Sequence, residues 1–478
     1  MKFLAILTLP LLLSPLHAKE KIYRIMPVGD SITEGGSSFS NWRYSLFEKL
    51  YKAGYCIQYV GSRKSPSRIG DLAHEAYGGK NSSFLAKNVP ATFKKYPAEI
   101  VLLHAGHNQF DDQKPIRGIV ADTESMIHSF RKENPSVITL LAHPIPSGKL
   151  PKYAYLPELY PALDQLAQRL NRADSPVRIV PMDQGFDIQQ DTIADLVHPN
   201  ASGAEKIADH WFHALTQVMD KPAAAYQPNI ITYKKHPSGD LTLHIFNPPT
   251  TSHVLKPAIV FFFGGGWKQG SPLQFYPECT HFASRGMLAV SADYRTRFTH
   301  NSTPFDAVAD AKSAIRHLRA NARELGIDPN KITAAGASAG GHLAAATAML
   351  SGFDDPSDNL DISPRPDALA LWYPVLDNGP NGYGEATVKS RYQEFSPLHN
   401  IKPGNPPTLI FLGTNDSYLP VNTAQEFVTK SRAAHVRCEL KLTQDGIHPL
   451  YSWRLPDPRL RDKILSLTDD FLKSQDLQ

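Results

Sequence analysis

The stretch Ile332-Thr333-Ala334-Ala335-Gly336-Ala337-Ser338-Ala339-Gly340-Gly341 decides the fold of the second half of this chain. An apolar run of strand length ends in Gly-x-Ser-x-Gly, and the small residues after it, through Met349, read as a helix. A serine on such a strand–turn–helix corner is lifted clear of the sheet. The flanking glycines let the turn close tightly and the helix pass nearby. Upstream, residues 258–263 form a very apolar strand that runs into Phe263-Gly264-Gly265-Gly266-Trp267. Backbone N–H groups of Gly265 and Gly266, with that of Ala339, are candidates for an oxyanion hole. Downstream, Asp416 follows the strand at 408–412, and His448 follows the strand at 438–442. The order Ser338, Asp416, His448 supplies a nucleophile, a carboxylate and a base. Asp445 is a rival acid, set too near His448 in sequence to be the usual partner, and His435 is a rival base that precedes the last strand.

Working outward, strands alternate with helices on both sides of a break at residues 221–228 (Lys-Pro-Ala-Ala-Ala-Tyr-Gln-Pro), which reads as a linker. Beyond it, strands are expected at 241–246, 258–263, 287–292, 332–335, 368–373, 408–412 and 438–442. One long helix is expected over 305–325, closed by Gly326, and a last one near 459–472. Before it, strands are expected at 21–28, 56–60, 100–104, 137–142 and 177–182, with helices at 42–50, 158–170 and 203–219. Such alternation predicts α/β architecture, with parallel sheets covered on both faces.

The first half carries its own constellation. Gly29-Asp30-Ser31-Ile32-Thr33-Glu34-Gly35 sits where a strand ends and a helix should begin. Asp195-Leu196-Val197-His198 lies between the last strand and the last helix of this half. Ser31 as nucleophile, His198 as base and Asp195 as the carboxylate that orients it would form a second triad. His104 and His107 could suggest a metal pair, but three-residue spacing without a third ligand argues against one.

These motifs carry two resemblances. Residues 21–219 resemble the GDSL/SGNH hydrolases, in particular their carbohydrate-esterase branch. That likeness matches Ser31, Gly79 (in His74-Glu75-Ala76-Tyr77-Gly78-Gly79), Asn108 (in Gly106-His107-Asn108-Gln109) and His198 to the family's four blocks. It implies a flavodoxin-like three-layer sandwich, with the Ser31 N–H, the Gly79 N–H and the Asn108 side chain as oxyanion donors. Gln109 stands where the family usually has Asp, and Lys80 where an aromatic residue often follows. Residues 229–478 resemble the α/β-hydrolases of the hormone-sensitive-lipase and acetyl-xylan-esterase-like branches, with Asp293-Tyr294-Arg295 and Pro406-Pro407-Thr408 adding to the likeness. Phe263 stands where that family's motif usually begins with histidine.

Composition frames these readings. The 478 residues are 42% hydrophobic, 20% charged and 10% aromatic, with a formal charge of +4 and no basic block, so a nucleic-acid partner is not expected. Three cysteines cannot make a disulfide framework, and no C-x-x-C pair offers a zinc site. Lys2, an apolar run over 3–16 and Leu16-His17-Ala18 form the pattern of a secretory signal peptide, cleaved near Ala18. The expected protein is therefore secreted or periplasmic and free of the membrane after cleavage. Its domains are expected at 19–220 and 229–478. Each would perform acyl transfer to water with no metal or cofactor. Two esterases on one exported chain suggest an acylated polysaccharide or oligosaccharide substrate, such as acetylated xylan. The alternative is one active carboxylesterase or lipase domain carried by a non-catalytic, carbohydrate-binding first half. A lipase would favour an apolar lid, whereas residues 353–366 are polar and aspartate-rich, and a prolyl-oligopeptidase-type peptidase would need a propeller domain. The sequence leaves the oligomeric state open.

Overall fold

The computed structural model describes residues 21–36, 41–109, 114–220, 228–249, 254–380, 382–450 and 457–478. The expected signal peptide and nearly all of the expected linker lie outside the described residues. The fold is α/β in both halves, each built on its own sheet.

The first sheet has seven strands: β1 (Tyr23–Gly29), β2 (Ile57–Tyr59), β3 (Arg63–Ser65), β4 (Leu72–Ala76), β5 (Ile100–His104), β6 (Ile138–Ala142) and β7 (Val177–Val180). Its order is β3-β4-β1-β5-β6-β7, all parallel except the β3–β4 pair, and β2 pairs the leading end of β1. Successive side chains face opposite layers. Ile25 and Leu102 join one apolar cluster with Trp42 and Trp211, while Met26, Val28, Val101 and Leu103 join another with Phe93 and Phe130. Helices Trp42–Lys52 and Ala201–Thr216 cover the first face; Ser82–Lys95, Ile116–Glu133 and Leu156–Leu170 cover the second. The chain leaves β1 to pair β2 and β4 on one side and β5 on the other, which opens a crevice at the carboxyl end of β1. Ser31 sits there.

The second sheet has eight strands: β8 (Asn229–Lys234), β9 (Leu241–Phe246), β10 (Lys256–Phe262), β11 (Leu288–Ala292), β12 (Ile327–Ala337), β13 (Ala368–Trp372), β14 (Thr408–Gly413) and β15 (Cys438–Thr443). The order is β15-β14-β13-β12-β10-β11-β9-β8, antiparallel only at β11–β9 and β9–β8. The central strands are buried on both faces, which is why their sequences read as unbroken apolar runs. The neighbours β10 and β12 deliver the Gly264–Gly266 turn and Ser338 to the same edge. Gly340 is required there, since a Cβ on it would lie 2.0 Å from the Phe262 carbonyl oxygen.

The expected single helix over 305–325 is two, Pro304–Ala320 and Ala322–Leu325. At Asn321 the side-chain amide and the backbone N–H both donate to the His317 carbonyl (2.8 and 3.1 Å), and this closes the first helix. Gly326 then ends the second in the left-handed region (φ 67°). Asp354 and Asp358 in the polar segment pair with Arg316, and Asp355 pairs with Lys234, which fastens that segment to the Pro304–Ala320 helix and the edge strand. Cys279 and Cys438 are buried free thiols. The two halves touch: the Trp42–Lys52 helix packs near Pro272–Phe275, and one apolar cluster runs from Trp42 and Phe47 to Leu273 and Tyr276.

Candidate active sites

In the first half, the helical turn Ser31–Glu34 follows β1 directly, and the Asp30 carboxylate caps it by accepting from the Ile32 N–H (3.0 Å). Ser31 Oγ lies 2.8 Å from His198 Nε2, and His198 Nδ1 lies 2.5 Å from Asp195 Oδ2. The other Asp195 oxygen accepts from the N–H groups of Val197 (2.9 Å) and His198 (3.0 Å). Burial works to raise the Asp195 acid, but these three donors outweigh it and hold the carboxyl below its ordinary range. Asp195 is thus an anion beside the imidazole, as an orienting group must be.

Gly79 sits at φ 72° with its α-carbon facing open space, and Asn108 at φ 64° donates to the Lys80 carbonyl (3.2 Å). That bond ties the Asn108 amide to the Gly79–Lys80 turn and leaves its second N–H hydrogen for a ligand. Gln109 donates to Ser82 Oγ (2.5 Å), which anchors the start of the Ser82–Lys95 helix, and Lys80 Nζ lies 5.2 Å from the Phe84 ring centre. Sequence reasoning missed Glu34, although it stands inside the quoted motif. Its carboxylate accepts from the Gly78 N–H (2.5 Å) and pairs with Arg63, so it fixes the turn that presents Gly79. His104 and His107, the residues weighed as a metal pair, each spend one ring nitrogen on the Ile145 backbone. Both are buried; His104 Nε2 accepts from the Ile145 N–H (3.2 Å), and His107 Nε2 donates to the Ile145 carbonyl (3.0 Å). The site is shallow, with Gly78, Gly79 and Lys80 all exposed.

In the second half, Ser338 holds the strained conformation of a sharp elbow (φ 55°, ψ −120°). Its Oγ lies 3.1 Å from His448 Nε2, and His448 Nδ1 lies 2.8 Å from Asp416 Oδ2. The Asp416 side chain is fully buried, and its other oxygen accepts from the N–H groups of Tyr418 and Leu419 (2.9 Å each). Asp445 lies outside this relay, with its carboxylate facing Gln444 Nε2 (3.2 Å) and Asn415 Nδ2 (3.4 Å). His435 occupies the turn between the Val421–Ala433 helix and β15. Tyr373 and Tyr418, which the sequence did not single out, set their rings edge-on to His448, each at 5.2 Å.

The Gly264 N–H is already engaged by Gln274 Oε1 (2.9 Å). Among the described residues the N–H groups of Gly265 and Gly266 donate to no protein group, and Ala339 opens a helix whose first N–H groups lack intrahelical partners. Gly265 (φ 132°) folds so tightly that a Cβ would meet the Gln269 carbonyl oxygen at 2.0 Å. Phe263, in place of the histidine, stacks on Tyr294 at 4.0 Å, and the Tyr294 hydroxyl donates to the Phe263 carbonyl (2.8 Å). An aromatic stack and a hydrogen bond therefore fix the loop root at Phe263. A cavity of about 310 Å³ opens over Ser338 and His448, lined also by Tyr383, Tyr418 and Phe298.

Fold and geometry together define a chain with two α/β serine-hydrolase-type domains. Residues 28–206 match the GDSL-like Lipase/Acylhydrolase family model, and residues 243–372 match the BD-FAE model. The chain is 31% identical over 199 residues to esterase LipC of Mycobacterium tuberculosis, across 37% of this chain and 48% of that protein. It is 29% identical over 211 residues to endo-1,4-beta-xylanase B of Butyrivibrio fibrisolvens, across 41% of this chain and 33% of that protein. It thus spans about half or less of the length of these curated relatives. The solved apo structure of Thermogutta terrifontis esterase 2 is 40% identical, with a TM-score of 0.51, and the match covers 54% of this chain and 98% of that one. The chain therefore carries a GDSL-like lipase/acylhydrolase domain at 28–206 and a BD-FAE domain at 243–372, and esterase LipC and Thermogutta terrifontis esterase 2 among its relatives are ester hydrolases.

Proposed function

We propose that this chain is an exported, bifunctional serine esterase that removes acetyl or related acyl groups from polysaccharide, with Ser31 and Ser338 as independent nucleophiles. The observation that carries this reading is the pair of complete Ser–His–Asp relays, each beside backbone or amide N–H groups free to receive an oxyanion. In each site the serine Oγ attacks the ester carbonyl carbon while histidine Nε2 takes its proton. The oxyanion is held by Gly79, Asn108 and the Ser31 N–H in the first site, and by Gly265, Gly266 and Ala339 in the second. Collapse expels the alcohol, which takes the proton from histidine. Water then attacks the acyl-enzyme with histidine as base, releasing the acid and restoring the serine.

The difference in shape supports a division of labour. The shallow first site suits an acyl group standing on a polymer chain, and the recessed second site, with its tyrosines, suits an ester that can enter a slot. Export rests on the signal-like pattern of residues 1–18.

The test is acetate release from acetylated xylan and from an aryl acetate by the wild-type chain, Ser31→Ala, Ser338→Ala and the double variant. Each single variant should lose a different part of the activity, and the double variant nearly all. If Ser31→Ala changes nothing on any ester while the chain still binds insoluble xylan, the first half is a binding module.

A further inference from the structure

A wall of the second active site comes from the first half of the chain. Ile69 lies on the loop between β3 and β4, more than 260 residues from Ser338 in sequence, yet it lines the same cavity as Ser338 and His448. It is 2% exposed and belongs to the apolar cluster that spans both halves. The loop is closed on itself: Ser67 and Gly70 exchange backbone hydrogen bonds (3.1 and 3.0 Å), and Ser67 Oγ also donates to the Gly70 carbonyl (2.5 Å). A closed turn of this kind offers Ile69 as a fixed surface.

The contact goes beyond packing. The Arg68 carbonyl accepts from the Gly270 N–H (3.0 Å). Gly270 ends the tight turn that begins at Gly265, where the N–H groups of Lys268 and Gln269 fold back onto the Gly265 carbonyl (3.1 and 3.3 Å). Trp267 and Lys268 are held from the other side, their carbonyls accepting from the N–H groups of Arg297 and Phe298 (3.0 and 2.9 Å). The turn carrying the candidate oxyanion donors is thus fastened by these two hydrogen bonds to its own half and by one to the other.

We propose that the Ser67–Gly70 turn is a working part of the Ser338 site, with Ile69 setting the size of the ester group admitted there. The proposal rests on Ser338 being an esterase nucleophile. Ile69 faces a slot lined by Phe298, Tyr383 and Tyr418 on one part and by Lys268 and Gln269 on another, and the bulk of this aliphatic wall limits the length of the group that lies against it.

The test uses the full chain carrying Ser31→Ala, so that only the second site reports, with Ile69→Val and Ile69→Ala added in turn. The kcat/KM values are measured for p-nitrophenyl acetate, butyrate and octanoate and for a matching series of alkyl acetates. The long-to-short ratio in at least one series should rise about ten-fold for Ile69→Ala and by an intermediate factor for Ile69→Val. The same substitutions in a Ser338→Ala chain should leave the Ser31-dependent turnover as it was. The proposal is overturned if both ratios stay within about two-fold of the parent, or if all esters fall together in step with a lowered Tm. A Ser31→Ala chain whose turnover ignores Ser338→Ala would instead overturn the reading of Ser338 itself, before Ile69 is touched.

Discussion

Replacing Asp416 with asparagine tests the second relay at its most buried point. The carboxylate has two tasks: Oδ1 accepts from the Tyr418 and Leu419 N–H groups, and Oδ2 accepts from His448 Nδ1. Asparagine has a single oxygen, and with the side chain fully buried the two backbone donors cannot turn to water. The oxygen therefore stays with them, and the amide NH2 is left facing His448 Nδ1. An NH2 group there forces Nδ1 to accept and places the ring proton on Nε2, the atom that must take the proton of Ser338. A wrong-tautomer histidine costs about ten-thousand-fold in kcat, or roughly 5 kcal/mol of barrier. The assay is aryl acetate hydrolysis at neutral pH by a Ser31→Ala chain with and without Asp416→Asn, together with Tm, which should move little because the N–H groups keep their acceptor. Asp195→Asn in a Ser338→Ala chain repeats the logic in a side chain that is 35% exposed, where water can compete for the donors. Its loss should be smaller, about hundred- to thousand-fold. An Asp416→Asn enzyme within ten-fold of its parent, or an Asp445→Asn enzyme equally impaired, would refute the assignment.

Asn108→Ala should lower Ser31-dependent turnover about hundred- to thousand-fold by removing an oxyanion donor, with KM far less affected. Gly265→Ala drives a Cβ to 2.0 Å from the Gln269 carbonyl oxygen, so Ser338-dependent activity should fall at least about hundred-fold while Ser31-dependent activity survives. Asp293 is raised to about 6 by burial, against the pull of Arg68. A carboxyl raised in the folded state stabilises the fold below its unfolded value, near pH 4, and this contribution disappears as pH climbs through about 6. Above that the buried charge is a net cost of about 3 kcal/mol, so Asp293→Asn should raise Tm more at pH 7.5 than at pH 4. Equal shifts at the two pH values would contradict this.

Much of this was legible because burial and chemistry leave strong marks. The apolar runs of β10, β13 and β14 read as strands covered on both faces, and both serines sit at strand ends, Ser31 just after the capping Asp30 and Ser338 just before a run of small residues. What stayed hidden depends on contacts distant in sequence. The β3 strand, Arg63-Lys64-Ser65, is polar and largely exposed, and it exists because it pairs β4. The β8 strand is an edge strand with no fully buried residue, so no alternation marked it. The break at Asn321 needs the local hydrogen bonds to His317, which a helical apolar stripe passes over. The stack that fixes Phe263 was hidden because its partner, Tyr294, comes from a separate strand end. Ile69 stands alone among polar residues, and only the docking of the two halves gives it a role.

The central claim is that one chain carries two nucleophilic serines. Intact mass measurement after exposure to a fluorophosphonate tests it most directly, because such a reagent phosphonylates a serine only where a histidine relay activates it. The account predicts two adducts on the wild-type chain, one on Ser31→Ala, one on Ser338→Ala and none on the double variant. A single adduct on the wild-type chain, lost with Ser338→Ala and kept in Ser31→Ala, would contradict it.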